Sequence, residues 1–317
     1  MFRHFKPWKT KEFILALIVL LLSALGITSE RTINQALYPQ RQSCQVPADS
    51  FISPPISLSF KSNADQTLLK GWFLPANDAK GTIILAHGYR QNRLPNIPAA
   101  INLVNSALEA GYNFLLFDFR NCGDSATAPT TFGLLEAADL LAAVDLAKTQ
   151  LAPDSEVYVL GISMGAVAAM LAAAETTDIS ALIVDSAFAD LGAYFRQHLN
   201  LWTGLPDFPF NRLLLALGPR LSGFDLLAVS PISIVPQLTQ PVLIIHSRND
   251  KVVPAAEALR LYAALASPEK DLWLVKQAKH GFSFAVEPEE YKERVLSFLA
   301  KVSRKTGENQ EIWLYPE

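Results

Sequence analysis

The stretch Val157-Tyr158-Val159-Leu160-Gly161-Ile162-Ser163-Met164-Gly165-Ala166-Val167-Ala168-Ala169-Met170 decides how this chain is read. It passes from an apolar strand through a Gly-x-Ser-x-Gly turn into an Ala-rich helix. A serine on so sharp a strand-to-helix turn projects its hydroxyl out of the backbone, where a base and a substrate can both reach it. The turn forces Ser163 into strained dihedrals and crowds its neighbours, so side chains at 161 and 165 are expected to clash. The alternative is a Gly-rich connection with no chemistry. What decides between them is whether the rest of a nucleophile site exists elsewhere in the chain.

An activated serine needs a base, and the base needs an acid to hold its tautomer. The chain has five histidines. His4 precedes an apolar leader. His87 and His246 each end an apolar run (Thr82 to His87, Val242 to His246) and read as structural strand-end residues. His198 lies in an aromatic segment without a turn signal. His280, in Ala278-Lys279-His280-Gly281 after the strand-like Lys270 to Val275, is the best placed base. Two aspartates compete to be the acid: Asp250, in the turn His246-Ser247-Arg248-Asn249-Asp250, and Asp185, which ends Leu182-Ile183-Val184-Asp185. Asp250 has the better case, because it gives the chain order Ser163, Asp250, His280 of hydrolases built on such a turn. Asp185 is left as an alternative, or as a partner for groups beneath the serine.

Outward from this core, apolar runs place strands near 56–60, 67–74, 82–87, 113–119, 156–161, 180–185, 241–246 and 271–275, with helical patterns between the later ones. That alternation predicts an α/β fold: a mostly parallel eight-stranded sheet covered by helices on both faces. Ser163, Asp250 and His280 all fall just past strand C-termini, where open α/β sheets carry their sites. The connection over about 187–236 is rich in aromatic residues and proline and reads as a small helical cap. Its Phe188, Phe195 and Trp202 are candidate substrate contacts in an apolar pocket, or packing between cap and core.

The 317 residues suffice for one catalytic domain, expected over 51–305; half are hydrophobic and 18% charged, for a net charge of −3. No basic patch suggests nucleic acid. Two cysteines, Cys44 and Cys122, allow at most one disulfide and no metal cluster, so neither metal nor cofactor is expected. Arg3, Lys6, Lys9 and Lys11 precede an uncharged run of fifteen residues, Phe13 to Ile27. Residues 1–27 therefore read as a transmembrane signal anchor or a signal peptide, attaching the protein to a membrane or releasing it as an exported domain. Residues 28–50 read as a linker and 306–317 as a peripheral tail.

Beyond the serine turn, the chain carries Leu85-Ala86-His87-Gly88-Tyr89, Phe117 to Ser125, Asp185-Ser186-Ala187-Phe188, Ser230-Pro231 and the two loops of Asp250 and His280. In these pieces it resembles the α/β-hydrolase superfamily, in its serine aminopeptidase S33-like and Bem46-like (lysophospholipase-like) branch. The resemblance spans about 56–300. It implies a serine hydrolase with Ser163, His280 and Asp250 as triad, and an oxyanion hole made of the Met164 and Tyr89 backbone N–H groups, the Tyr89 side chain being incidental to that role and reading as a pocket-wall aromatic. Cys122 departs from the histidine or basic residue common in its loop. The resemblance leaves the substrate open among esters, thioesters and peptides. A non-catalytic binding protein on the same fold is the reading from another class.

Overall fold

The computed structural model describes residues 10–153 and 155–311. Eight strands, β1 (Ile56–Lys61), β2 (Leu68–Leu74), β3 (Gly81–Ala86), β4 (Tyr112–Asp118), β5 (Val157–Ile162), β6 (Ile179–Asp185), β7 (Val242–Ser247) and β8 (Lys270–Val275), form one sheet in the order β1-β2-β4-β3-β5-β6-β7-β8. β2 pairs antiparallel with β1 and β4, and the remaining pairs are parallel. Strands buried on both faces read as unbroken apolar runs, which is why their positions are so plain in the sequence.

Alternate residues feed two cores. Val157 and Val159 of β5 join one cluster, and Tyr158, Leu160 and Ile162 join the other. On the first face lie α3 (Leu134–Leu146), α4 (Met164–Ala173) and α8 (Ala256–Ala264), through Leu140, Val167 and Leu261. On the second lie α2 (Ile97–Glu109) and α10 (Pro288–Glu311), through Leu103, Tyr291 and Val295. A short α9 (Ser283–Val286) leads into α10.

The cap falls where expected, between β6 and β7. It consists of α5 (Leu191–Thr203), α6 (Arg212–Ser222) and the short α7 (Pro231–Ile234). Asp190 caps α5 by accepting from the Ala193 N–H, and its other oxygen accepts from Ser230 Oγ at 2.8 Å, tying the outgoing and returning chain together.

The N-terminal segment departs from expectation. Helix α1 (Thr10–Leu37) continues ten residues past Ile27, through the part read as linker. Thr28 and Thr32 bond back to the carbonyls of Ala24 and Thr28, and Leu37 is buried. The expectation of a transmembrane signal anchor is overturned: no helix among the described residues is long and apolar enough to cross a membrane. The physical reason lies in the sequence: fifteen uncharged residues cover roughly 22 Å of a ~30 Å hydrocarbon core, and α1 then runs on through Glu30, Arg31, Asn34 and Gln35 to pack against α6. The basic flank Arg3, Lys6 and Lys9 lies outside the described residues. At the other end α10 continues past 305 to Glu311, and 312–317 lie outside the description.

Candidate active site

Ser163 joins β5 to α4 at φ 54°, ψ −115°, a left-handed strain forced by the turn. Both flanking glycines are needed: a Cβ at 165 would sit 2.0 Å from the Ala86 carbonyl oxygen, and one at 161 would sit 2.5 Å from Ala166 Cα. The Ser163 N–H donates to the Asp185 carbonyl at 2.8 Å, pinning the turn to the end of β6.

His280 arrives on the loop after β8. Its Nε2 lies 2.7 Å from Ser163 Oγ and its Nδ1 2.7 Å from Asp250 Oδ2. Asp250 follows β7, and its Oδ1 accepts the N–H groups of Val252 and Val253 at 2.8 and 3.0 Å. That leaves Oδ2 for histidine. Burial works against the Asp250 charge, but hydrogen bonds from His246 and His280 and from the Val252 N–H outweigh it and hold the carboxyl well below the usual carboxylate range. An ionised carboxylate can only accept, so the His280 proton sits on Nδ1 and the bare Nε2 accepts from the Ser163 hydroxyl. The three residues, drawn from a span of 117 positions, form one directed relay.

Asp185 takes no part in it. Its carboxyl is fully buried, accepts from Ser186 Oγ at 2.7 Å and Ser283 Oγ at 3.3 Å, and burial raises it above its ordinary value. His87 is structural: its Nε2 accepts the Phe119 N–H at 3.0 Å while Nδ1 donates to the Gly88 carbonyl at 2.8 Å, and burial keeps it neutral. Cys44 and Cys122 are both buried, unpaired thiols.

Met164 is the first residue of α4, so its N–H is one of those a helix cannot satisfy within itself, beside Ser163. Tyr89 lines the cleft of about 310 Å³ that also holds Ser163, His280 and Trp202. Phe195 lines a neighbouring cavity instead. Phe188 lines neither; it is buried and stacks on Tyr194 at 6.1 Å, packing the cap onto the core.

Three contributors escaped the sequence reading. His246, taken as a strand end, places Nε2 3.4 Å from Asp250 Oδ2 while donating to the Val253 carbonyl at 2.9 Å. The Ser186 hydroxyl accepts the Gly281 N–H at 3.2 Å and steadies the His280 loop. The Tyr89 side chain does more than wall the pocket: its hydroxyl donates to the Ala36 carbonyl of α1 at 2.8 Å, and its ring stacks on Phe132 at 4.8 Å. The i,i+4 spacing of His246 and Asp250 was the one available signal.

A parallel-rich eight-stranded sheet with a serine on the turn after β5, and histidine and aspartate on later strand ends, defines an α/β hydrolase. The chain belongs to the alpha/beta hydrolase family, whose model matches residues 83–294. It is 31% identical over 245 residues to the uncharacterized protein YfhR of Escherichia coli O157:H7, covering 74% of this chain and 77% of that one. It is 29% identical over 240 residues to the uncharacterized protein YqkD of Bacillus subtilis, covering 75% and 77%. Among solved structures it resembles the Pyrococcus furiosus esterase Pf2001, with a TM-score of 0.69, 27% identity, and coverage of 83% of this chain and 98% of that one. Hydrolysis is thus the general chemistry of this protein.

Proposed function

We propose that the protein is a serine hydrolase that cleaves carboxylic esters through an acyl-enzyme. The observation that carries this reading is the unbroken relay from Ser163 Oγ to His280 Nε2 and from His280 Nδ1 to Asp250 Oδ2, each step 2.7 Å. As Ser163 Oγ bonds to the ester carbonyl carbon, its proton passes to His280 Nε2. The imidazolium that results faces an ionised Asp250. The negative charge on the former carbonyl oxygen is met by the Met164 and Tyr89 N–H groups, a pair of fixed donors typically worth ~3 kcal/mol each. Collapse of this intermediate breaks the ester C–O bond, and the alcohol leaves with the proton held by His280. Water, deprotonated by His280, then attacks the acyl group, and Ser163 regains its proton as the acid departs.

An ester is favoured over a peptide because the cleft meets an apolar cap, and Arg90 is the one Lys, Arg, Asp or Glu among the described residues that line it. The esterase among the structural relatives points the same way. The test is covalent labelling with a fluorophosphonate probe, beside Ser163→Ala and His280→Ala. Labelling that disappears in both variants, with release of alcohol from simple esters, is the expected result. A folded wild-type protein that does not label would leave a binding protein on a hydrolase fold, and labelling with turnover of amides alone would make it a peptidase.

A further inference from the structure

The cleft above Ser163 has a neighbour. Tyr89, Arg90 and Trp202 line both that cleft and a second cavity of about 450 Å³. It is lined by Ile33 and Ala36 from the last turns of α1, by Leu214 and Leu215 of α6, and by Phe132. Among the described residues that line it, only Arg90, on the wall shared with the cleft, is charged. A void of this size forfeits contacts that side chains normally supply. At Gly218, which also lines it, an added Cβ would meet nothing within 4 Å. Space has been kept here that a larger residue could occupy.

The partition between the two spaces is built from parts of the site itself. Tyr89 lines both spaces, and its ring meets Trp202, which also lines both, edge-on at 5.6 Å. Trp202 is held by its own Nε1–H, which donates to Tyr194 Oη at 2.8 Å, and Tyr194 in turn donates to the Val252 carbonyl at 2.9 Å. A carbonyl carbon at Ser163 thus has an apolar room directly beyond the Tyr89–Trp202 pair. At roughly 30 Å³ per water-sized group, that room holds on the order of fifteen such groups, enough for one medium-length hydrocarbon chain.

We propose that this cavity is the acyl subsite, so that the substrate class is a single-chain fatty acyl ester of medium chain length, and that α1, which lies outside the family match, completes the site. The inference rests on the ester-hydrolase reading above. It is tested with the full chain and p-nitrophenyl esters from acetate to palmitate, comparing wild type with Ile33→Trp, which fills the cavity from α1, and Gly218→Phe, which fills it from the cap. Thermal melting and fluorophosphonate labelling of each variant report folding and the state of Ser163. The wild-type kcat/KM should peak near decanoate or laurate. Each buried methylene is worth roughly fourfold, so excluding two or more should lower the laurate-to-acetate ratio by more than about tenfold in either variant. A wild type that prefers acetate would overturn the proposal, as would labelled variants that keep the wild-type ratio. If one variant fails to fold, the other decides. A wild type that neither labels nor turns over any ester would instead overturn the serine-hydrolase reading itself.

Discussion

His246 Nε2 lies 3.4 Å from Asp250 Oδ2, the same carboxylate oxygen that His280 Nδ1 reaches at 2.7 Å. Two histidines therefore converge on one oxygen, one facing the serine and the other buried behind it. The rear histidine is anchored by the Val253 carbonyl and helps keep the acid ionised.

His246→Leu should raise the Asp250 pKa from its depressed position toward the ordinary carboxylate value. A carboxylate that is less firmly ionised stabilises the imidazolium formed on His280 less well, so kcat/KM falls. A loss of about tenfold at neutral pH is expected, less than the roughly 10²–10⁴ of acid–base catalysis itself because His280 and its Asp250 partner both remain. Steady-state kinetics on one ester check this, and a folded variant with wild-type kcat/KM would leave His246 with packing alone.

Asp250→Asn should lower kcat by about 10⁴-fold, because the amide favours the wrong His280 tautomer. Asp185→Asn should keep activity within about tenfold of wild type, since its contacts are with serine hydroxyls rather than with His280. Steady-state kinetics of the two variants on one ester decide it, and the reverse ranking would transfer the acid role to Asp185.

Asp185→Asn should also change how stability depends on pH. Burial raises the Asp185 pKa above its ordinary 3.8. The folded state then binds more protons than the unfolded one between those two values, so this residue's contribution is full below the ordinary value and declines as pH rises through the folded one. Melting temperatures from pH 4 to 7 should show wild type losing ground to the variant as pH increases. Parallel curves would mean that Asp185 titrates normally.

Arg93→Ala should destabilise the fold by about 3–5 kcal/mol in urea unfolding, because it strands the fully buried carboxylate of Asp118, which Arg93 Nε meets at 3.0 Å. Lys292→Ala, which removes a pair whose glutamate is 81% exposed, should cost under about 0.5 kcal/mol. Equal effects would contradict the burial argument.

Gly165→Ala should cost both stability and activity, because its Cβ would meet the backbone oxygens of Ala86 and His87 at 2.0 and 2.7 Å. A soluble variant with full turnover would show that the turn relaxes more readily than its close contacts imply.

The sheet was legible because its interior strands are apolar on both faces; all eight lie within two residues of where such runs place them. The relay was legible for a different reason: few histidines compete, and a turn that demands glycine on both sides of a serine is rare. Helix α1 beyond Ile27 was not legible, since Ile33, Ala36 and Leu37 form an apolar face only once α6 is there to receive it. The role of His246 was hidden because ending an apolar strand already accounted for it. The Tyr89 hydroxyl could not be placed at all, because its partner is a backbone carbonyl 53 positions away.

The order of the strands has a consequence for biosynthesis. His280 follows Ser163 by 117 positions and is delivered by β8, an edge strand paired only with β7. At roughly 5–20 residues per second on the ribosome, about six to twenty-three seconds separate the making of the two. Throughout that interval the nascent chain carries an ordinary alcohol in a half-built sheet. On the proposed triad, the chain is born inert and is armed when its final strand docks.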